Sequence, residues 1–164
     1  MTKPIPDGYH TLTPHLIVSD AAKAIDFYKK AFGAQEQGRF MSPDGKAVMH
    51  AEIKIGNSIV MLGNEFPPSC LSPKARGGTS VSLYTYVENA DASFERAVKA
   101  GCTVKMPMTD QFWGDRFGQV EDPFGHQWSL ATHKQDLTHD QIAANAKAFF
   151  ANMAKKPAAE MVTA

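Results

Sequence analysis

Two imidazoles and a carboxylate form the first group of side chains whose types could do chemistry. His15 lies in an apolar segment near the start of the chain, and His50 and Glu52 alternate with apolar residues in a later one. Side chains two positions apart on a strand share a face, so the three could meet on one side of a sheet. There they would hold a divalent metal, with Glu52 as the candidate catalytic residue that moves a proton. The alternative is that they are polar groups lining a pocket.

Aromatic and charged side chains form the second group. Tyr84 and Tyr86 lie two positions apart in an apolar segment, and this setting favours the wall of a pocket over a role as catalytic acids. Trp113 and Arg116 lie in a glycine-containing loop, where Trp113 could stack on a ligand and Arg116 could pair with its anionic group. The alternative is that Asp115 and Arg116 anchor the loop through hydrogen bonds and an ion pair.

Composition argues against several other classes of function. Cys70 and Cys102 have no partner pattern for nucleophilic catalysis, and two cysteines are too few for a disulfide scaffold or a four-thiolate zinc site. The 17 Lys+Arg and 17 Asp+Glu give a net charge of +0, which argues against nucleic-acid and anionic-membrane partners. No apolar run has the length of a membrane span. We therefore expect a cytoplasmic protein with neither a nucleic-acid nor a membrane partner.

The elements that must position these side chains occur twice along the chain. Each half predicts a strand, a helix and three further strands, and the halves align at an offset of about 69 residues, with Val18 opposite Val87 and Ile25 opposite Phe94. The sequence thus predicts an α+β fold of two βαβββ modules plus a C-terminal helix. The predicted divisions are 1–66 for the first module with an N-terminal arm, 67–79 for a Pro- and Gly-rich linker, 80–134 for the second module, and 135–164 for the C-terminal helix and tail.

Strand alternation and capping patterns refine this outline. In the first strand Leu16 and Val18 face one way and His15 the other, and in the matching strand the two tyrosines oppose aliphatic residues. The aliphatic faces are expected under the helices and the polar faces in a cleft. The predicted caps are Ser19 or Asp20 and Gly33 for the first helix, Asn89 or Asp91 and Gly101 for the second, and a Thr138–Gln141 capping box for a helix over 138–155.

Several motifs resemble those of the vicinal oxygen chelate superfamily, the group of glyoxalase I, bleomycin-resistance proteins and extradiol dioxygenases. The subgroup resembled is the PhnB-like glyoxalase/bleomycin-resistance proteins, over about residues 8–133. The motifs are Gly8-Tyr9-His10-Thr11, Thr13-Pro14-His15-Leu16, Ala24-Ile25-Asp26-Phe27-Tyr28 with Phe32-Gly33, Met49-His50-Ala51-Glu52, Phe112-Trp113-Gly114-Asp115-Arg116-Phe117-Gly118 and Asp122-Pro123-Phe124-Gly125-His126. The resemblance implies paired βαβββ modules, a curved eight-stranded sheet and a homodimer with two clefts.

The resemblance also implies where a metal would be held. Enzymes of the superfamily bind a divalent metal through His and Glu side chains from the first and last strands of each module. The matching positions here are Thr13, Val60 or Met61, Ser82, and Ser129. None of these is a usual ligand for zinc, nickel, iron or manganese. We therefore expect no cofactor at these positions, and a metal only at the displaced site of His15, His50 and Glu52.

Three hypotheses about function follow. The first is a small-molecule-binding protein whose cleft takes an aromatic or amphipathic ligand, lined by His15, His50, Glu52, Tyr84, Tyr86, Trp113 and Arg116. The second is a metal-dependent lyase, isomerase or dioxygenase that uses the displaced site. The third is a subunit that acts through protein contacts, because the C-terminal helix carries an apolar stripe.

Overall fold

The structure is a computed structural model, and it describes residues 2–153 of the chain. Both modules and most of the C-terminal helix lie in this range, whereas the predicted helix end at 155 and the tail lie outside it. The elements are β1 (His15–Val18), α1 (Ala21–Phe32), β2 (Gln35–Met41), β3 (Val48–Ile55), β4 (Ser58–Asn64), α2 (Pro73–Arg76), β5 (Ser82–Tyr86), α3 (Ala90–Ala100), β6 (Thr103–Asp110), β7 (Asp115–Glu121), β8 (Gln127–His133) and α4 (His139–Met153).

The predicted internal repeat is confirmed by the sheet topology. The first module has strand order β1-β4-β3-β2 and the second has β5-β8-β7-β6, so the two sheets are built in the same way. In each sheet the first strand runs parallel to the last, and the other neighbours are antiparallel. The fold is therefore α+β with two βαβββ modules, as the sequence predicts.

Local sequence signals explain where the helices begin and end. Asp20 caps α1 by accepting a hydrogen bond from the backbone N–H of Lys23, and Asn89 caps α3 in the same way. Gly33 follows α1 in the left-handed conformation that ends many helices. The Thr138–Gln141 capping box before α4 is also present, with reciprocal hydrogen bonds of 2.8 and 3.3 Å.

One hydrophobic core joins the two modules on the helix side of both sheets. Tyr28 of α1 is fully buried, and its ring packs against Phe124 and Trp128 of the second module. Helices α1 and α3 also contact each other, and Arg96 of α3 donates a hydrogen bond to the carbonyl of Ala31. Helices α1 and α3 both pack on this side of the sheets, and we call the opposite face, which α1 and α3 leave uncovered, the helix-free face.

Two features differ from the expectations, and the placement of α4 is a further observation. Strands β1 and β5 do not pair, so the described residues form two four-stranded sheets and not one hydrogen-bonded sheet of eight. The segment 67–79 holds the short helix α2, capped by Ser72, which the Pro- and Gly-rich composition did not indicate. Helix α4 has no buried residue; Phe149 and Phe150 pack on Phe112, and Asn145 Nδ2 donates a hydrogen bond to the Phe112 carbonyl at 3.2 Å.

Candidate functional site

The helix-free face brings most of the candidate residues to one side of the molecule. In β1, Leu16 and Val18 are buried under α1, and His15 points to the opposite face. In β5, Leu83 packs on the core, and Tyr84 points away from it. The face therefore has two parts, the His15–His50–Glu52 group on the first sheet and the tyrosine group on the second.

A buried carboxylate organises the aromatic side chains of the second sheet. Asp115, only 2% exposed, begins β7. Its Oδ2 accepts hydrogen bonds from the hydroxyls of Tyr84 and Tyr86, both at 3.1 Å, and from Nε1 of Trp113 at 3.0 Å. Its Oδ1 lies 2.8 Å from Nδ1 of His133. Four side chains from β5, β8 and the loop before β7 thus converge on one group.

The electrostatics of this cluster keep the carboxylate ionised and the phenols protonated. Burial alone would raise the pKa of Asp115, yet hydrogen bonds from His133 and the three aromatic donors hold that pKa below its ordinary value. Burial and the hydrogen bond to Asp115 raise the pKa of Tyr84 and of Tyr86. The pKa of His133 is raised by its contacts with Asp115 and Asp136. The tyrosine hydroxyls therefore act as fixed hydrogen-bond donors at neutral pH.

The aromatic rings stay open to solvent although their hydroxyls are anchored. Tyr84 is 46% exposed and Tyr86 63% exposed, and their ring centroids are 5.1 Å apart. Tyr84 also stacks on Phe117 at 5.5 Å, and Trp113 meets the edge of Phe117 at 5.7 Å. We call Tyr84, Tyr86, Trp113 and Phe117 the aromatic platform. Phe117 is only 7% exposed and packs against Tyr84 and Trp113, and the exposed rings of Tyr84 and Tyr86 offer a preorganised surface for a flat or apolar ligand.

Two members of the first-sheet group, Glu52 and His15, lie in one row across three strands, and His50 lies two residues from Glu52 along β3. Glu52 of β3 is opposite Met61 of β4, which is opposite His15 of β1. His50 Nε2 lies 3.3 Å from Glu52 Oε1, and the rings of His15 and His50 meet edge to face at 5.8 Å. A hydrogen bond with Tyr9 lowers the pKa of Glu52 and raises that of Tyr9 to about 12. The pKa of His15 is lowered by burial and by His50.

The residues that the resemblance places at the superfamily's metal positions are not usual metal ligands. Cross-strand register pairs Met61 with His15 and Ser129 with Tyr84, so Met61, and not Val60, is the counterpart of Ser129. Ser82 and Ser129 hydrogen-bond each other at 2.8 Å, and Gln119 Nε2 donates to both hydroxyls at 3.2 Å. The hydroxyls of Ser82 and Ser129 and the amide of Gln119 therefore hydrogen-bond one another, and with Met61 they include no imidazole or carboxylate.

The displaced His15, His50 and Glu52 are close together but are not arranged as a ligand set. Among residues 2–153, no group of three or more His, Cys, Asp or Glu side chains is placed to hold a metal ion. His50 Nε2 contacts Glu52 Oε1, and the pKa of the same carboxylate is lowered by Tyr9. The contacts among the three are the His50–Glu52 pair and the edge-to-face rings of His15 and His50.

Arg116 lies on the opposite face from the aromatic platform. Its guanidinium donates to both carboxylate oxygens of Asp91 in the first turn of α3, with distances of 2.7–3.2 Å, and lies 3.5 Å from Asp110. This bidentate pair ties β7 to α3. Asp115 and Arg116 both anchor the loop, which was one of the two alternatives from the sequence. Asp115 does so through the aromatic donors and His133, and Arg116 through Asp91.

Two contributors were not predicted as functional residues, Asp115 as the centre of the platform and Tyr9 as the partner of Glu52. Both roles depend on contacts between segments far apart in the chain. Tyr84 and Tyr86, for example, precede Asp115 by 31 and 29 residues. The sequence signal for Asp115 was its place beside Trp113 in a loop motif, which indicated anchoring only.

The family of the chain follows from its match to known proteins. The model of the Glyoxalase/Bleomycin resistance protein/Dioxygenase superfamily matches residues 9–130. The chain therefore belongs to this superfamily, as the motifs and the paired βαβββ modules predicted.

Relatives and solved structures agree with that assignment. The chain is 48% identical over 137 residues to an uncharacterized protein of Mycobacterium tuberculosis, covering 81% of this chain and 80% of the relative. TioX from Micromonospora sp. ML1 has 29% identity and a TM-score of 0.61, covering 76% of this chain and 98% of TioX. The fosfomycin resistance protein FosX from Listeria monocytogenes shares the fold at 19% identity and a TM-score of 0.60, covering 81% of this chain and 97% of FosX. None of the helices within residues 2–153 has the length and apolar character to cross a membrane.

Proposed function

We propose that this protein binds an aromatic or amphipathic small molecule on its helix-free face, with the aromatic platform as the contact surface. The observation that carries the proposal is the pair Tyr84 and Tyr86, whose hydroxyls both donate to the buried Asp115 while their rings remain exposed. Exposed aromatic rings in monomeric proteins often mark contact surfaces, especially when several adjoin.

Anchoring by Asp115 supports binding because it removes an entropy cost. Immobilising a rotamer-rich side chain on binding costs about 0.5–1.5 kcal/mol. The hydrogen bonds to Asp115 hold both tyrosines before a ligand arrives. Aromatic contacts contribute about 0.5–1.5 kcal/mol each beyond the buried area, so the two rings together supply roughly a tenfold gain in affinity or more.

The experiment is a thermal-shift screen of a small-molecule library in metal-free buffer. Each hit is then titrated into the protein, with tryptophan fluorescence as the signal. We expect saturable binding, and we expect the double variant Tyr84→Leu/Tyr86→Leu to lose at least about tenfold in affinity. Phe40→Leu is the matched control, because Phe40 is an exposed aromatic residue on β2 of the other sheet. The proposal fails if no compound binds, or if the control and the double variant lose affinity equally.

A metal-dependent activity at the His15–His50–Glu52 group is the second candidate: the rings of His15 and His50 are 5.8 Å apart and His50 lies 3.3 Å from Glu52, so a bound metal would have to draw the three side chains into a ligand arrangement. Its test is the metal content of freshly purified protein beside a His15→Ala variant, by plasma mass spectrometry. About one equivalent of a transition metal that is lost in the variant would support this activity, whereas no metal uptake on titration would remove it.

Assembly through protein contacts is the third candidate. Helix α4 exposes Phe150 and Met153, and a homodimer is the partner that the superfamily favours. Removal of residues 138–164 tests this role by analytical ultracentrifugation. An unchanged oligomeric state would count against it.

A further inference from the structure

A cavity lies apart from the aromatic platform, between the first sheet and the N-terminal arm, which we define as residues 2–13. Its volume is about 630 Å³, within the range of roughly 300–1,000 Å³ of small-molecule sites. The lining residues are Pro4, Ile5, Pro6, Tyr9, His10, Thr11, Thr13, Glu52 and Met61. None of them belongs to the platform, so the two surfaces can be tested separately.

The walls of this cavity combine apolar groups with one fixed charge. Ile5 and the prolines come from the arm, and Met61 and Glu52 come from neighbouring strands of the sheet. No lysine or arginine lines the cavity, and Glu52 is the only lining residue of the acidic type. The salt bridges within residues 2–153 pair Glu52 with His50 alone. A ligand in the cavity therefore meets an apolar wall and a carboxylate with no lysine or arginine beside it.

Glu52 retains the capacity to bind a ligand. A carboxylate has about four acceptor positions, and the contact with His50 Nε2 at 3.3 Å uses one of those of Glu52. The side chain is one-third exposed, so an entering group can reach it. Hydrogen bonding by Tyr9 also lowers the pKa of Glu52, which keeps the carboxylate ionised at neutral pH.

The arm is shaped by its own contacts. The N–H of Tyr9 donates to the carbonyl of Pro6 at 3.2 Å, and the Thr13 hydroxyl donates to the carbonyl of His10 at 3.3 Å. Lys3 pairs with Asp7 at 2.7 Å, which satisfies the charge of that lysine within the arm. The arm therefore forms one wall of the cavity, and its lysine, Lys3, pairs with Asp7 and not with Glu52.

We propose that this cavity binds a compact organic amine, with its ammonium on Glu52 and its apolar body against Ile5, Met61 and the prolines. A charged hydrogen bond from ammonium to carboxylate gives the orientation, and burial of the apolar body gives the affinity. The same apolar body carrying a hydroxyl lacks the charge attraction, and one carrying a carboxylate is repelled. The site lies outside the platform and shares Glu52 with the His15–His50–Glu52 group, and it does not rest on ligand binding at the platform.

The test is calorimetric titration at pH 8.0 and low salt with three probes of one shape, cyclohexylmethylamine, cyclohexylmethanol and cyclohexanecarboxylate. We expect saturable binding of the amine at least tenfold tighter than the alcohol, and no binding of the carboxylate. Glu52→Gln should weaken amine binding at least tenfold. Asp44→Asn is the matched control, because it removes one exposed carboxylate of the same module without touching the cavity.

Two further variants make the outcome decisive. Removal of arm residues 2–8 deletes most of the apolar wall, leaves Glu52 in place, and should also abolish amine binding. Tyr84→Leu/Tyr86→Leu should leave amine binding unchanged, which separates this site from the platform. Equal binding of the amine and the alcohol, full binding by the Glu52→Gln variant, or no amine binding at all would overturn the proposal.

Discussion

The hydroxyl of Tyr28, in the first module, donates a hydrogen bond of 2.8 Å to Oδ2 of Asp122 in the second module, and both groups are buried. The same oxygen accepts from Nε1 of Trp128 at 2.9 Å, and Oδ1 accepts from the backbone N–H groups of Phe124 and His126. Burial and then the Asp122 carboxylate raise the pKa of Tyr28, so its hydroxyl stays a donor. One carboxylate thus closes a turn and joins the modules.

Replacing Asp122 should therefore be costly. Asp122→Ala leaves the buried donors of Tyr28 and Trp128 without an acceptor, each at about 1–3 kcal/mol, so we expect a loss of about 3 kcal/mol or more in the free energy of unfolding. Tyr28→Phe, which removes one donor and keeps the ring, should cost about 1–2 kcal/mol. Urea unfolding measures both. A loss below 1 kcal/mol for Asp122→Ala would show that the modules do not depend on this contact.

Gly114 should tolerate alanine less well than Gly45. Both have positive φ, +99° and +71°, so alanine is strained at each. At Gly114 an added Cβ would lie 2.5 Å from the carbonyl oxygen of Gln135, whereas at Gly45 it meets nothing within 4 Å. We expect Gly114→Ala to cost about 1–3 kcal/mol more than Gly45→Ala in urea unfolding. Equal costs would mean that segment 134–138 moves away without penalty.

Arg116 should matter for stability and not for ligand affinity. Its ion pair with Asp91 is partly exposed, so we expect Arg116→Ala to cost about 1 kcal/mol or less, and less still at high salt. Ligand affinity should stay within about twofold, because the guanidinium faces α3. A tenfold loss of affinity in the variant, by the fluorescence titration, would return Arg116 to the ligand site.

His133 should make stability depend on pH. Contacts with Asp115 and then Asp136 raise its folded pKa above the ordinary value of 6.5. Stabilisation by the charged ring is therefore fully present below about pH 6.5 and is lost as the pH rises through the folded pKa. We expect His133→Gln to destabilise more at pH 6 than at pH 9, by urea unfolding. An equal loss at both pH values, or an NMR titration with no upward shift, would contradict this.

The fold could be predicted because its signals are local and occur twice. Asp20, Gly33 and Asn89 bound their helices through contacts within a few residues, and strand alternation separates Leu16 from His15. Helix α2 was missed because its cap, Ser72, is fixed by Glu65 Oε2, which accepts the Ser72 N–H from seven residues away. The resemblance implied a curved eight-stranded sheet, whereas the structure has two four-stranded sheets, and how two modules join depends on packing that no local pattern encodes.

The site was predicted in part because residue types indicate chemistry and spacing indicates faces. Tyr84 and His15 do lie on the helix-free face, since alternation decides that. The partner of Arg116 was not predictable, because Asp91 approaches it only after α3 packs on the sheet. Asp115 was not recognised as the centre of the platform for the same reason, as its four donors come from three separate segments.

The most direct test of the aromatic platform is the set of intermolecular nuclear Overhauser effects in the complex with the tightest library hit. Nuclear Overhauser effects to the ring protons of Tyr84 and Tyr86 report the contact. A Tyr84→Phe/Tyr86→Phe variant keeps both rings and changes their proton signals, which identifies the signals of these two residues. We predict contacts from the ligand to both rings and to Trp113. Contacts confined to the N-terminal arm and the Met61 methyl group, with none to the tyrosine rings, would contradict the platform as the binding surface.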